Sequence, residues 1–504
     1  MREILYVQAG NLANYVGTHF WNTQESYFTY AEDEEEALVV HDTSFREGET
    51  SKGDPTYCPR LISFDRKCVF NPLYYASGLT KNDSKLWQGK ISEHEHEPIE
   101  PHIYQTHLEA GQDDNGIPLA DANPVRYWSD FNRVFYIPRT AQMLPDVPEW
   151  QTTEGDWALG QETFKRFNDE TELMEGSVRL FIEECSSFQG LQLMNDTSTF
   201  GAFSYSFLMA FYDELSRAPC LSFPLMGDAV PRNTNLENTI HFRKVVNDAV
   251  YLRELDNLSI LAIPILSPKT WSRKELDLNL NFDGSNYHTS SIISAHIENS
   301  TSPLRLKVRQ EDISSFSNQL NFYGPHRFSQ LSGVFPVAAD STPQTFWQQF
   351  ELSSATTYYA RKDITRGFLP STLHAYDLWY SEMSIKDPLA MSIHAPGYPL
   401  PSSFPDIFND QGILWDYRQQ NTKGKTPPSA SMFTTLANCS GTAGMFADYA
   451  KFIQACVDRR KPGVLTGLIE NLDDMKQLVN DLWKIHDGYS TDTLQSEEFS
   501  LEEF

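Results

Sequence analysis

Cysteine is scarce in this 504-residue chain, and none of its six cysteines stands in a CxxC pair. Cys58, Cys68, Cys185, Cys220, Cys439 and Cys456 are scattered, which argues against a disulfide framework or a zinc ribbon and fits buried thiols in a reduced compartment. Long apolar runs are missing as well. The longest, Ser259 to Leu266, is far short of the roughly 20 residues a membrane-spanning helix needs. Positive charge is in deficit, with 40 Lys and Arg against 68 Asp and Glu and a net charge of −28. Nucleic acid and anionic lipid are held by clustered Lys and Arg. No direct nucleic-acid binding is therefore expected, and any membrane contact is peripheral or made through a partner. Glu3 stands early and no Arg-rich amphipathic run follows it, so the N-terminus does not read as a presequence. Internal repeats are absent. No triad, Cys–His pair or paired-carboxylate motif stands at a readable spacing, so no catalytic residue is assigned.

What is present is enough apolar material for two or three domains with full cores, 40% hydrophobic and 13% aromatic. The chain is organised around residues 1–28. Ile4, Leu5 and Val7 form an apolar run that breaks at Gln8-Ala9-Gly10-Asn11, after which Leu12, Val16 and Phe20 recur every fourth residue. This predicts a strand, a tight glycine turn and an amphipathic helix. Gly10 has no Cβ, so a ligand can approach the turn, and the helix opens with free N–H groups and the positive end of its dipole, which suits a phosphate.

Further along, Glu32 to Glu36 is an acidic run in a polar segment, read as a surface loop. Arg60 to Asp65 reads as a second strand ending in an acid. Ser92 to His102 holds three histidines among glutamates, but Pro98 and Pro101 break any helical spacing, so an exposed loop is expected and no metal site. Trp128 and Phe131 read as core or platform residues. Gly190 to Met194 predicts a strand, Asn195 to Gly201 a turn, and Ala202 to Leu215 a helix. Asn238 to Leu255 is helical. Tyr398 to Phe408 is held extended by its prolines, either as a surface that presents itself to a partner or as a structural loop. Two helices are expected at about Met432 to Asp458 and Gly467 to Ile485, followed by an acidic tail with apolar points, Glu497 to Phe504.

Several of these stretches carry a resemblance. Met1-Arg2-Glu3-Ile4, Gln8-Ala9-Gly10, Asn14, Gly17 and Phe20-Trp21 resemble the start of tubulin without gaps. Asn11, Tyr15-Val16, Gly17 to Asn22, Trp128-Ser129-Asp130, Gln189 to Leu193 and Tyr398 to Phe408 resemble the Misato family of tubulin-related proteins more closely. The resemblance implies an α/β, tubulin/FtsZ-like fold: a Rossmann-like nucleotide-type domain at 1–236 with an acidic insert at about 30–58, a central helix at 237–256, a second α+β domain at 257–422, and C-terminal helices with an acidic tail at 430–504. It places any retained nucleotide site at Gln8, Gly10, Asn11, Asp65, Lys67, Asp196, Thr197, Ser198, Thr199 and Gly201.

The chain departs from the tubulin pattern at three of these points. Lys67 replaces a metal-facing glutamate. Only Gly201 remains of a glycine-rich phosphate loop, with Asp196 adding negative charge where a cradle needs backbone approach. His288 to Ser294 holds none of the acid that completes a neighbour's active site in polymerising relatives. No cofactor is expected, and weak or altered GTP binding stays open through the hydroxyls of Thr197, Ser198 and Thr199. The resemblance implies a non-enzymatic scaffold that partitions mitochondria and mitochondrial DNA, at the outer mitochondrial surface and in the cytoplasm. Its partners are protein, with tubulin and the cytosolic chaperonin as candidates. The alternatives are a slow GTP-binding switch and a microtubule or spindle accessory factor.

Overall fold

The computed structural model describes residues 2–28, 37–49, 55–66, 101–109, 125–145, 155–268, 280–281, 283–322, 324, 326–337, 357–384, 389–408, 428–459 and 471–490. The acidic run at 32–36, Lys67, Cys68, the histidines at 94 and 96, and the tail from 491 lie outside them. The first half runs β1 (Glu3–Ala9), α1 (Asn11–Glu25), β2 (Phe45–Glu49), β3 (Pro55–Pro59), β4 (Leu61–Arg66), α2 (Ile103–Glu109), β5 (Ala141–Leu144), α3 (Trp157–Thr171), α4 (Arg179–Glu183), β6 (Phe188–Asp196), α5 (Thr197–Glu214), β7 (Cys220–Leu225) and the central helix α6 (Thr239–Asn257). The second runs β8 (Leu261–Ala262), α7 (Asn286–Thr301), α8 (Ile313–Leu320), β9 (Gln330–Val334), β10 (Tyr358–Arg366), α9 (Pro370–Ser384), β11 (Ala390–Ala395), β12 (Tyr398–Pro399), β13 (Ser429–Ala430), β14 (Met432–Cys439), α10 (Thr442–Asp458) and α11 (Leu472–Gly488).

β1 lies inside a parallel sheet of order β5-β4-β1-β6-β7-β8. All seven of its residues are buried, as a strand covered on both faces requires. Alternation divides them. Leu5, Val7 and Ala9 enter a core with α3, α5, α6, α10 and α11, while Ile4 and Tyr6 enter one with α1, α7 and α8. Each large apolar side chain fully buried there contributes about 1.5–3 kcal/mol. The tubulin-like α/β class expected from the sequence is the fold observed.

The predicted single apolar stripe on α1 is not what the structure has. Twelve of its fifteen residues are buried, because α7 packs along the side the pattern assigned to solvent. α7 in turn is buried although rich in Ser and Thr. Thr289, Ser291 and Thr301 return their hydroxyls to carbonyls one turn back, at 2.7–2.8 Å. Their small side chains let the two helices approach closely.

The second sheet has the order β11-β10-β14-β9. β10 and β11 are parallel, and β14 runs antiparallel to both of its neighbours. Here the helix expected from Met432 is corrected. Met432 to Cys439 is the strand β14, every residue of it buried, and helix begins only at Thr442. A continuous apolar run covered on both faces has no period that separates strand from helix. Five cysteines, Cys58, Cys185, Cys220, Cys439 and Cys456, are free thiols. Among the described residues, no helix is long and apolar enough to cross a membrane.

Candidate functional site

Ligands of parallel α/β sheets sit beyond the carboxyl ends of the strands, which here means the ends of β1, β4 and β6. Gly10 follows β1 with φ 112°, a conformation that glycine tolerates and other residues resist. α1 starts there with no side chain of its own capping it. Its exposed amides are already taken by a residue far along the chain. Asp196, the last residue of β6, accepts from Ala13 N at 2.8 Å and from Leu12 N at 3.0 Å. The carboxylate lies over Gly10 so closely that a Cβ there would stand 2.5 Å from Asp196 Oδ2. An internal carboxylate thus occupies the helix start where an α/β fold ordinarily holds a phosphate. Gly10→Ala combines this clash with a strained φ. It should cost about 1–3 kcal/mol, read as a lowered urea midpoint with unchanged slope.

The turn expected at Asn195 to Gly201 does not form. β6 runs to Asp196 and α5 starts at Thr197, with no intervening loop. A strand joined to a helix without slack has no loop amides to wrap a phosphate, and what remains is the first-turn N–H groups of α5, which no side chain caps. Thr197 is fully buried, its Oγ1 2.5 Å from Asp248 Oδ1 and 3.0 Å from Leu225 O. Ser198 and Thr199 are half-buried in the first turn of α5. Gly201 is buried in its second turn, facing the rings of Trp157 and Tyr251.

The other candidate residues are dispersed. Gln8 points into the interface between sheet and α1, where a Cβ on Gly17 would stand 2.1 Å from its amide. Asn11 is exposed at the start of α1. Asp65 is buried and accepts from Asn14 Nδ2 at 3.1 Å, Trp128 Nε1 at 3.0 Å and Arg66 N at 2.8 Å. Burial pushes its carboxyl up from the usual range while these three bonds oppose the shift. Trp128, read as a core or platform residue, is that buried donor. Arg60 stands at the opposite end of β4 from Asp65, away from the cleft.

Two sequence expectations end elsewhere. The Tyr398 to Phe408 segment is a structural loop. Tyr398 bonds Thr23 at 2.8 Å, Ser403 Oγ accepts from Asn22 Nδ2 at 2.8 Å, Tyr287 donates to Ser403 O at 2.7 Å, and Phe404 stacks on Phe408. It straps the second half of the chain onto α1. His102 is not in an exposed loop: it is buried, and its Nδ1 accepts from Tyr104 N at 3.2 Å. Among the described residues, no group of His, Cys, Asp and Glu is placed to hold a metal ion.

Sequence reading missed two buried charge sites. Glu298 Oε1 accepts from Gln24 at 3.0 Å and Tyr27 at 3.1 Å and lies 3.4 Å from Arg305 Nη2, while Oε2 pairs with Arg366 at 3.0 Å. Asp248, inside α6, meets Thr197, Gly227 N at 3.2 Å and Tyr449 at 3.3 Å. Both acids sit among other polar residues, Glu298 beside Asn299 and Ser300 and Asp248 beside Asn247, so nothing in the sequence marks them, and most of their partners lie tens to hundreds of residues away. The region expected to lack an acid has one just before it: Asp283 pairs with His288 Nδ1 at 3.0 Å.

Comparison with known proteins agrees with this architecture. Residues 2–110 match the family described as Misato Segment II tubulin-like domain, and residues 117–306 match the one described as Tubulin domain. The chain is similar to Protein dml1 of Aspergillus clavatus, 29% identical over 99% of each chain. It is similar to Protein DML1 of Gibberella zeae, 32% identical over 68% of this chain and 69% of that one. Protein misato homolog 1 of Mus musculus is 25% identical over 97% of this chain and 98% of its own.

Proposed function

We infer a function from one premise: this chain belongs to the Misato family of tubulin-related proteins. We propose that it acts as a tubulin-like scaffold without nucleotide chemistry, in the partitioning of mitochondria and the inheritance of mitochondrial DNA. The observation that carries the first part is Asp196, whose carboxylate holds the Leu12 and Ala13 amides. A phosphate entering there would have to displace a tethered anion and would meet its charge. The mitochondrial part rests on the family resemblance read from the sequence.

The expected place of action is the outer mitochondrial surface and the cytoplasm. A net charge of −28 opposes direct contact with DNA, so inheritance would run through protein partners, with tubulin and the cytosolic chaperonin as candidates. Since most of the Tyr398 to Phe408 loop is buried against α1 and its neighbours, only Ser402 and Asp406 of it face outward. The test is the nucleotide content of purified protein, read by chromatography of the denatured supernatant, with titration by GTP and magnesium. We expect no stoichiometric guanine nucleotide and no saturable binding up to millimolar GTP. Stoichiometric nucleotide, lost on substitution of Asn11 or Thr197, would replace the scaffold with a GTP-dependent switch. Depleting the protein should scatter mitochondria and lower mitochondrial DNA retention; normal inheritance in its absence would remove the organelle role. Pelleting with microtubules above background would favour the spindle-accessory reading.

A further inference from the structure

We propose that the end of the six-stranded sheet opposite the Gly10 cleft carries a phosphoryl-binding site built from Arg46, Arg60 and Arg139. Parallel strands bring their starts together, and three of these residues' neighbours arise from that alone. Arg60 immediately precedes β4, Arg139 stands two residues before β5, and Glu184 to Ser187 lead into β6. The β2–β3 hairpin adds Arg46, paired across it with Cys58.

One carboxylate serves two of the three guanidinium groups: Glu184 bonds Arg139 at 2.8 Å and Arg46 at 3.1 Å. Arg60 is only 7% exposed. Its bonds go to Asp42 O at 3.3 Å and Cys185 Sγ at 3.7 Å, neither of which carries a full negative charge. No described carboxylate pairs with it. Arg139 Nη1 is buried with no hydrogen-bond partner among the described residues, and its guanidinium lies over the Phe181 ring at 5.1 Å. Of the other acids at this end, Glu3 is held by the amides of Ser186 and Ser187 at 3.1 and 2.9 Å, and Asp42 is the residue whose carbonyl Arg60 contacts. Three guanidinium groups stand here against the carboxylates of Glu184, Glu3 and Asp42, inside a chain of net charge −28.

A buried guanidinium donor without an acceptor, as at Arg139 Nη1, is costly, and an anion would supply that acceptor. Arginine forks match the tetrahedral oxygens of phosphate in pairs. A phosphoryl group brings about −1.5 to −2 charges and three acceptor oxygens, which suits the donors left over. Cys185 does not compete as a thiolate, because burial pushes its thiol up to about 11 in spite of Arg60.

The test is thermal unfolding of the full chain in sodium phosphate against sodium chloride of equal ionic strength, without nucleotide. Wild type is compared with Arg46→Gln, Arg139→Gln and Glu184→Gln. The side chains of Arg46 and Arg139 are 26% and 25% exposed, so trimming them leaves the core intact. Phosphate should raise the unfolding temperature of wild type. Each arginine variant should weaken the response about tenfold or more in phosphate concentration, and Glu184→Gln should strengthen it by removing the competing carboxylate. A phosphoserine peptide that acts at tenfold lower concentration than inorganic phosphate would assign the source to a protein; equal potency would assign a small anion. Identical curves in phosphate and chloride, or an undiminished response in both arginine variants, would overturn the proposal. Neither result bears on GTP, so this site and the scaffold reading fail independently.

Discussion

Glu298→Gln is expected to destabilise the protein by about 3–5 kcal/mol, the cost of leaving buried charges uncompensated. Glu298, Arg305 and Arg366 are each 1% exposed. The single carboxylate meets both guanidinium groups and also the side chains of Gln24 in α1 and Tyr27 just beyond it. Arg366 has other acceptors in Pro396 O at 2.8 Å and Gly397 O at 3.3 Å, and Arg305 has Glu298 O at 2.9 Å. Those carbonyls satisfy donors but carry no full charge. Domains of this kind are stable by only about 5–15 kcal/mol, so the variant should lose roughly a fifth or more of its stability. Urea denaturation would measure it, with Glu298→Gln plus Arg366→Met as the companion. Removing one guanidinium with the carboxylate should recover part of the loss. A loss below about 1 kcal/mol in the single variant would mean that the carbonyls, not Glu298, neutralise the site.

The second large effect is a pH dependence centred on Asp248. Its carboxyl is fully buried, and desolvation pushes it from the ordinary range up to about 7, against bonds from Thr197, Gly227 and Tyr449. The geometry fits the neutral acid. One hydroxyl proton on Thr197 cannot serve both Asp248 Oδ1 and Leu225 O. A protonated Asp248 donating to Thr197 Oγ1, with Thr197 donating to Leu225 O, satisfies both. Lys244 also faces Asp248 but is held by Asp228 at 2.7 Å.

For this residue the folded protein binds its proton more tightly than the unfolded chain does. Below about pH 4 both states are protonated, and the contribution is complete. Between about pH 4 and 7 the unfolded chain has released the proton and the fold has not, so stability falls as pH rises. The slope is about 1.4 kcal/mol per pH unit and the total about 4 kcal/mol, levelling above pH 7. Asp248→Asn removes the titration. Its stability relative to wild type should therefore climb across that window and then stay constant. Parallel stability curves for the two proteins between pH 4 and 8 would refute the assignment.

How far these features were legible depends on the range of the interactions that make them. The strand, glycine turn and helix of residues 3–25 are local, set by apolar spacing and one glycine, and they stand where the pattern put them. The departure from a glycine-rich loop at Asn195 to Gly201 was visible in the missing glycines and in Asp196. What Asp196 does instead was not visible, because its partners, Leu12 and Ala13, lie 184 and 183 residues away. Met432 to Cys439 was misread because burial on both faces erases the period of two. The Tyr398 to Phe408 loop could be read as extended from its prolines, but the surface it covers is set by distant partners such as Thr23, Asn22 and Tyr287.

The burial of α1 also sets a timetable. His19 finds Tyr287 across 268 residues, and Asn22 finds Ser403 across 381. Ribosomes add about 5–20 residues per second, so roughly 20–80 seconds separate the emergence of this helix from that of the loop that covers it. Throughout that interval Trp21 and Phe20 have no finished interior to enter. The first helix of this protein is thus made long before its surroundings, and its apolar face is completed only by residues the ribosome has yet to make.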